Sequence, residues 1–317
     1  MVPLSEDELD LPLARAALDR DAESRENSEF LNKTLADPNT RVLAIFDSKV
    51  LLRGSGTQAA LRLLPVSEIP GDNEFVYLGK TLYDEGFEPA GTPIVYTTLS
   101  NLEAEAVESD DSKWIQLRRT GFGLSDRDAG LFAQAVALSN WHATHRHCPR
   151  CGAETLIESS GWVRRCPNDD TQHFPRTDPA IIVGITDDQD RILLGSQGVW
   201  EENRWSILAG FVEPGESLTA AVRREMREEA GIEVTDATYL GSQSWPFPYS
   251  LMLGFSARAV GDSVKADGVE IEKLRWFSRE ELAAEAHEIL LPTRLSIARA
   301  IIERWYGQKI DSATELS

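Results

Sequence analysis

The chain has 317 residues, 42% hydrophobic and 26% charged, a balance that supports a globular protein and excludes wholesale disorder. Its formal net charge of −20, from 32 basic and 52 acidic residues, argues against a protein that coats nucleic acid electrostatically, since that mode needs a basic footprint. A small anionic ligand neutralised locally by a divalent cation stays compatible with it.

No run approaches the roughly 20 apolar residues that cross a bilayer, so no membrane partner is expected. The acidic start MVPLSEDELD lacks the basic region of a secretory signal. Three Cys, all between Cys148 and Cys166, do not make a secreted disulfide framework, and a cytoplasmic protein is the expectation. Length predicts two domains with room for a small third module.

In chain order, Arg41–Phe46, Val50–Leu52 and Phe75–Leu78 are short apolar runs divided by Gly, Pro and Asp, which predicts strands. Leu131–His145 carries apolar residues at three- and four-residue spacing and predicts a helix leading out of this first domain. No catalytic motif and no internal repeat is visible in residues 1–140, so a scaffold or dimerisation role is expected there. The Cys-bearing stretch follows. From Pro179 on, the buried-strand runs Ala180–Ile185 and Arg191–Gly195 lead to a glycine turn and a charged helix, with more strands after it. The expected division is a mixed α/β domain at 1–144, a ribbon module at 145–176, a catalytic α/β (α+β) domain at 177–309 and a frayed tail at 310–317.

The strongest signal is Gly210–Glu216 followed by a helix that ends at Gly231. Pro214-Gly215 marks the turn and Gly231 the helix stop. At 100° per residue, Leu218, Ala221 and Val222 form the inward stripe, which continues onto Glu225 and Glu229 with Glu228 on its flank, while Arg223 and Arg227 fall opposite. Carboxylates on an inward face repel one another and lose hydration. A hard divalent cation, Mg²⁺ or Mn²⁺, shared with a phosphate ligand resolves that conflict; the competing reading is a solvated acidic face with i,i+4 ion pairs.

Downstream, Ser242-Gln-Ser-Trp-Pro-Phe-Pro-Tyr-Ser250 sets rigid aromatic surface beside Gln243 and Ser250, with two prolines that predict an extended backbone. Such a segment suits stacking on a purine or nicotinamide ring; a proline-locked core strand is the alternative. In the Cys stretch, Cys148-Pro-Arg-Cys151 and Cys166-Pro-Asn-Asp169 lie fourteen residues apart, the spacing of a zinc ribbon, with Asp169 at the fourth ligand position and His173 as a further donor. Both Cys₃Asp and Cys₃His are chemically open to Zn²⁺.

The spacing G-x5-E-x7-R-E-M-x-E-E-x-G-I over residues 210–232 resembles the signature of the Nudix hydrolases, and SQ-x-WPFP-x-S resembles the mark of their NADH pyrophosphatase family. That resemblance implies an α-β-α Nudix sandwich preceded by a zinc ribbon and an N-terminal mixed α/β domain. It implies metal-dependent cleavage of NAD(H) to nicotinamide mononucleotide and AMP and, in some members, removal of an NAD cap from RNA 5′ ends. By the same resemblance Glu225, Glu228 and Glu229 with Glu270 and the Ala209 carbonyl hold Mg²⁺ or Mn²⁺, Arg224 braces the carboxylates, and Glu216 is structural. Glu228 and Glu229 both fit the role of general base.

The resemblance places substrate contacts at Gln243, Ser244, Trp245, Pro246, Phe247, Pro248, Tyr249 and Ser250, with Phe174 and Phe211 as stacking aromatics, Ala298 as a backbone contact and Arg119 as a ligand-facing cation. Zn²⁺ falls to Cys148, Cys151, Cys166 and Asp169, in a chain expected to form a homodimer. Arg164, Arg165 and Arg176 are the cations to watch for contact with capped RNA, whereas His142, His145, His147 and His287 carry no catalytic role. Two other readings are a Nudix hydrolase of ADP-ribose or dinucleoside polyphosphates, and a zinc-ribbon adaptor with a non-catalytic hydrolase domain.

Overall fold

The computed structural model describes residues 9, 11–15, 17–54 and 59–313. The N-terminal stretch 1–8 and the last four residues of the tail, 314–317, lie outside them. The chain forms two compact units, one of Pro12–Thr177 with Trp245–Tyr249, the other of Asp178–Ser244 with the chain from Ser250 onward.

The first unit opens with β1 (Leu18–Asp19), α1 (Phe30–Ala36), β2 (Arg41–Ile45), β3 (Lys49–Arg53), β4 (Ala60–Leu61), β5 (Leu64–Pro65), β6 (Phe75–Thr81) and β7 (Pro93–Thr98). The β-branched and aromatic runs read from the sequence are therefore strands. They form a five-stranded sheet of order β1-β6-β7-β2-β5, in which β2 and β7 are parallel and β6 and β7 antiparallel. Next come α2 (Asn101–Val107), β8 (Trp114–Gln116), which joins β3 and β4 in a small sheet, α3 (Leu117–Thr120) and the long α4 (Asp126–Thr144).

Helix α4 starts a turn and a half before the expected Leu131. Ser125 caps it by accepting the N–H of Asp128, and its first turn is charged yet buried. Arg127 pairs with Asp128 and Glu88, while the other Asp128 oxygen accepts the N–H of Leu61. A buried guanidinium between two carboxylates looks like a solvated turn in one dimension, which is why apolar spacing misses it.

The ribbon follows as β9 (Leu156–Glu158), β10 (Val163–Arg165) and β11 (Gln172–His173), an antiparallel sheet. Gly161 has φ 97°, and a Cβ there would collide with the Val76 side chain, so only glycine lets this turn approach β6.

The second unit contains β12 (Asp178–Thr186), β13 (Ile192–Ser196), β14 (Leu208–Phe211), α5 (Leu218–Ala230), β15 (Val234–Trp245, whose last residue belongs to the first unit), β16 (Ser250–Ala259), β17 (Lys273–Phe277), α6 (Arg279–Glu285) and α7 (Ile297–Tyr306). The sheet order is β15-β16-β12-β13-β17, with β14 also on β12, and β12 runs parallel to β16 over nine residue pairs. Alternation along β12 divides the core in two. Ile181, Val183 and Ile185 pack with Ala221, Val222 and Met226 of α5, while Ile182 packs with Ile297, Ile301 and Ile302 of α7. This is an α-β-α sandwich. Gly184 admits α7, since a Cβ there would press on Ile301.

Two expectations need correction here. Leu218, the first residue of α5, is exposed, and the inward stripe begins at Ala221 and gains Met226. The tail is anchored through Ala313: Ile310 is buried, its carbonyl accepts Arg299, and its N–H donates to Glu303.

A candidate metal centre on the glutamate helix

Strand β14 delivers Gly210 and Phe211, the turn at Gly215 (φ 95°) reverses the chain, and Ser217 caps α5 by accepting the N–H of Ala220. Gly231 ends the helix in the left-handed conformation at φ 63°. Along α5, Glu225 and Glu229 are buried, Glu228 is exposed, and Arg223 and Arg227 face solvent.

Arg224 is the hub of the cluster. Its Nε and Nη2 donate to the two Glu216 oxygens (3.1 and 2.6 Å), Nη1 donates to Glu225 and to Glu228 (both 2.9 Å), and Nη2 also donates to the Phe211 carbonyl (2.9 Å). All five guanidinium N–H groups are used. Hydrogen bonds from Arg224 hold the Glu216 carboxyl below its usual range, and those same bonds, Glu216's foremost, raise Arg224. Glu216 also accepts the N–H of Glu213 (2.8 Å), which fixes it as a structural brace.

Glu229 has no such support. Its Oε2 is buried without a hydrogen-bond partner. Burial first, then the charges of Glu225, Glu270, Asp267 and Glu228, push its carboxyl up to about 8. Burial also raises Glu225, though Arg224 opposes the shift. Glu270 reaches this cluster from a loop turned by Asp267, whose carboxylate accepts the N–H groups of Val269, Glu270 and Ile271 (3.2, 3.2 and 2.8 Å). Backbone N–H of Asp267 in turn donates to the Glu229 carbonyl (3.3 Å).

The outcome is a patch of hard oxygen donors with one guanidinium against several carboxylates, including an orphan buried oxygen. That donor set fits a divalent cation such as Mg²⁺ or Mn²⁺, which prefers oxygen ligands. Gly210 is what lets the helix come this close, because a methyl there would overlap the Glu225 carboxyl group. Gly210→Ala is therefore expected to fold, to displace Glu225 and to weaken Mn²⁺ binding at least tenfold, as read by titration of the chelator-treated protein; unchanged affinity would contradict it.

The other residues named from the sequence fall in both units, and each unit is taken by itself. In the second, Ala209 pairs with Ile182 of β12, Phe211 is 60% exposed, and Ser244 and Ser250 are partly buried at strand ends. Gln243 is fully buried, with Nε2 donating to the Leu295 carbonyl (2.8 Å) and Oε1 unpartnered. Ala298 is buried in the first turn of α7 and its N–H donates to Ser296 Oγ (3.2 Å).

The first unit holds Phe174, also 60% exposed, and residues 245–249. The two prolines do not extend this segment: Pro246–Tyr249 form a turn with a cis Phe247–Pro248 peptide, and the Trp245 and Phe247 rings meet edge to face (5.1 Å between centroids). Over those rings lies Arg118, 4.2 Å from Phe247 and 5.5 Å from Trp245. Its neighbour Arg119, the cation expected to face the ligand, is exposed on α3. Of the cations watched for RNA, Arg164 is buried on Thr155 and His142, Arg165 pairs with Glu158 and Asp170, and Arg176 lies over the Tyr249 ring (5.2 Å).

At the ribbon, one donor atom from each of Cys148, Cys151, Cys166 and Asp169 lies within 4.8 Å of the others. The two knuckles share one backbone design: the N–H of Gly152 returns to the Cys148 carbonyl and that of Asp170 to the Cys166 carbonyl, both through left-handed residues (φ 75° and 61°). Asp169 thus stands where Cys151 stands in the first knuckle. Burial raises the Cys148 thiol, yet the N–H groups of Arg150 and Cys151 together with hydrogen bonds of His173 and Cys166 outweigh it and leave it at about 7. Burial, with Asp169 and Cys151, pushes Cys166 up to about 11, and hydrogen bonds from Thr171 hold Asp169 at about 2.

Three family models match the chain: an NADH pyrophosphatase-like rudimentary NUDIX domain over 39–141, an NADH pyrophosphatase zinc ribbon domain over 143–174 and a NUDIX domain over 175–295. The NAD-capped RNA hydrolase NudC of Mycobacterium tuberculosis (strain ATCC 25177 / H37Ra) is 38% identical over 283 residues, 85% of this chain and 84% of that protein. The NAD-capped RNA hydrolase NUDT12 of Homo sapiens is 37% identical over 196 residues, 57% of this chain and 42% of that protein. Among solved structures, a NUDIX hydrolase from Nitrosomonas europaea aligns at a TM-score of 0.40 and 24% identity, over 52% of this chain and 95% of its own. The chain accordingly belongs to the Nudix hydrolases, in the family that combines a rudimentary N-terminal NUDIX domain, a zinc ribbon and a NUDIX domain.

Proposed function

We propose that the protein hydrolyses the pyrophosphate of NAD(H) to nicotinamide mononucleotide and AMP and removes the NAD cap from RNA 5′ ends. The observation that carries this is the Arg224-braced carboxylate cluster with its unpaired Glu229 oxygen, in a chain most of whose length aligns with a relative named for NAD-capped RNA hydrolysis. Glu225, Glu228, Glu229, Glu270 and the Ala209 carbonyl would hold Mg²⁺ or Mn²⁺, which when bound screens the pyrophosphate charge and lowers the pKa of water.

The chain's own residues do the rest. Arg224 fixes Glu225 and Glu228 in place through its Nη1 hydrogen bonds, so that little is lost to reorganisation during the reaction. Water attacks phosphorus, the P–O–P bond breaks with the second nucleotide leaving on its own phosphate, and either Glu228 or Glu229 takes the water's proton. Phe211 offers a stacking face in the second unit. Phe174 and the Trp245–Phe247 pair do so in the first, with Arg119 as the ligand-facing cation and Arg118 packed on the Trp245 and Phe247 rings.

Zn²⁺ would sit at Cys148, Cys151, Cys166 and Asp169 as a structural ion; the matched knuckles support Asp169 over His173 as fourth donor. Homodimerisation, a cytoplasmic location and module boundaries after residues 144 and 176 belong to the same proposal. Among the described residues no helix is long and apolar enough to cross a membrane.

The test is product analysis after incubation with NADH, NAD-capped RNA and ADP-ribose side by side, with Mg²⁺ or Mn²⁺. The expected result is nicotinamide mononucleotide and AMP from NADH, and release of nicotinamide mononucleotide from the RNA. Intact NADH beside rapid cleavage of ADP-ribose would overturn the substrate assignment.

A further inference from the structure

The turn that carries Trp245, Phe247 and Tyr249 is short of its own donors, because Pro246 and Pro248 have no N–H. The Trp245 carbonyl accepts the Phe247 N–H within the turn, but the carbonyls of Pro246 and Pro248 are satisfied from more than a hundred residues away. Asn140, on α4, donates through Nδ2 to the carbonyl of Pro246 (3.0 Å) and to that of Pro248 (3.1 Å). A side-chain amide suits this double bond because it presents two N–H groups on one atom, whereas a hydroxyl or a single ring N–H could serve only one carbonyl.

One turn further along α4, Thr144 Oγ1 is 3.5 Å from the Tyr249 hydroxyl, and the His145 ring meets Tyr249 edge-on at 6.0 Å. Arg118, just ahead of α4, covers the Trp245 and Phe247 rings. The aromatic turn is therefore fastened by α4 and its approach, in the half of the chain that carries no catalytic box.

We infer that Asn140 is a positioning residue for substrate binding, which fixes the aromatic turn 245–249 on α4 so that the N-terminal half sets the affinity for the dinucleotide. The inference rests on the functional reading above, in which this turn contacts NAD(H). Because the carboxylate cluster lies on other elements, loss of the clamp should act on binding and leave the chemical step intact.

The test compares the full-length wild type with Asn140→Ala and Asn140→Asp. Asp keeps the shape of Asn but sets carboxylate oxygens against two carbonyls, so a merely steric role predicts wild-type behaviour for it. The expected outcome is a KM for NADH raised about tenfold in Asn140→Ala and further in Asn140→Asp, with kcat within about twofold of wild type. NADH binding read by its own fluorescence in chelator should weaken in parallel, while Mn²⁺ affinity and zinc content stay unchanged.

Wild-type KM in Asn140→Asp, or a fall in kcat at constant KM, would overturn the inference while leaving the functional reading in place. Equal loss of Mn²⁺ affinity and zinc in both variants would also overturn it, by assigning Asn140 to folding. A wild type that leaves NADH intact would instead sink the functional reading and the inference with it.

Discussion

Replacing Glu229 by Gln is expected to lower kcat for NADH by about 10²–10⁴-fold and, at the same time, to stabilise the metal-free protein at pH 8.5. The two effects share a cause. In the folded protein without a cation, burial and four neighbouring carboxylates hold the Glu229 carboxyl at about 8, against 4.5 for the free group. A raised folded pKa means that the folded state binds the proton more tightly than the unfolded chain. The carboxyl therefore costs nothing below pH 4.5, becomes progressively more destabilising as pH rises to about 8, and stays so above that.

The size of that penalty is on the order of 5 kcal/mol as an upper bound, from the shift at about 1.4 kcal/mol per unit. Gln carries no charge and escapes it, and a bound divalent cation removes it in the wild type. Melting temperatures in chelator should thus show Glu229→Gln above wild type at pH 8.5, a gap that closes towards pH 4.5 or on adding Mn²⁺ to the wild type. A variant no more stable than wild type at pH 8.5, or one that retains full turnover, contradicts the assignment of Glu229 to cation binding.

The second large effect concerns the ribbon. Cys166→Ala is expected to abolish stoichiometric zinc and to melt the β9–β11 sheet, because structural zinc sites in small modules supply folding free energy directly, about 10 kcal/mol or more in isolated fingers. Asp169→Ala should be milder, with zinc affinity reduced on the order of 10²-fold or more while three thiolates still hold the ion. Asp169→Cys should tighten it, since a fourth thiolate is the softer ligand for Zn²⁺. Zinc-to-protein ratios after dialysis against graded chelator measure all three. Full zinc retention by Cys166→Ala would remove the ion from the account, and equal retention by Asp169→Ala would remove Asp169 as its ligand.

How far the sequence carried this picture depends on the range of the contacts involved. The glutamate helix was legible because its signal is local: a 100° rotation per residue puts Glu225 and Glu229 on the line of Ala221 and Val222, and they are buried there. Leu218 fails the same rule because helix rotation says which way a residue points and nothing about whether a neighbour covers the helix's first residue. The ribbon knuckles are local as well, each closed by a hydrogen bond four residues on.

The aromatic turn was half legible. Its residues stand out, but extension or reversal of a Pro-x-Pro segment is decided by donors such as Asn140 that lie elsewhere in the chain. The same holds for α4, whose opening turn is kept buried by Glu88 and Leu61. The rudimentary NUDIX character of 39–141 left no trace as a repeat because that stretch lacks the glycine turn and the glutamate run, the features by which the second copy is recognised.

The central claim, that the carboxylates of α5 exist to grip divalent cations against a bridged phosphate, is tested most directly by NADH hydrolysis across a Mn²⁺ titration of chelator-treated protein, followed by separation of the products. The account predicts no cleavage without metal, saturable appearance of nicotinamide mononucleotide and AMP in equal amounts with it, and loss of both in Glu225→Gln and Glu229→Gln. Cleavage that persists in excess chelator, or that survives both substitutions, would contradict it.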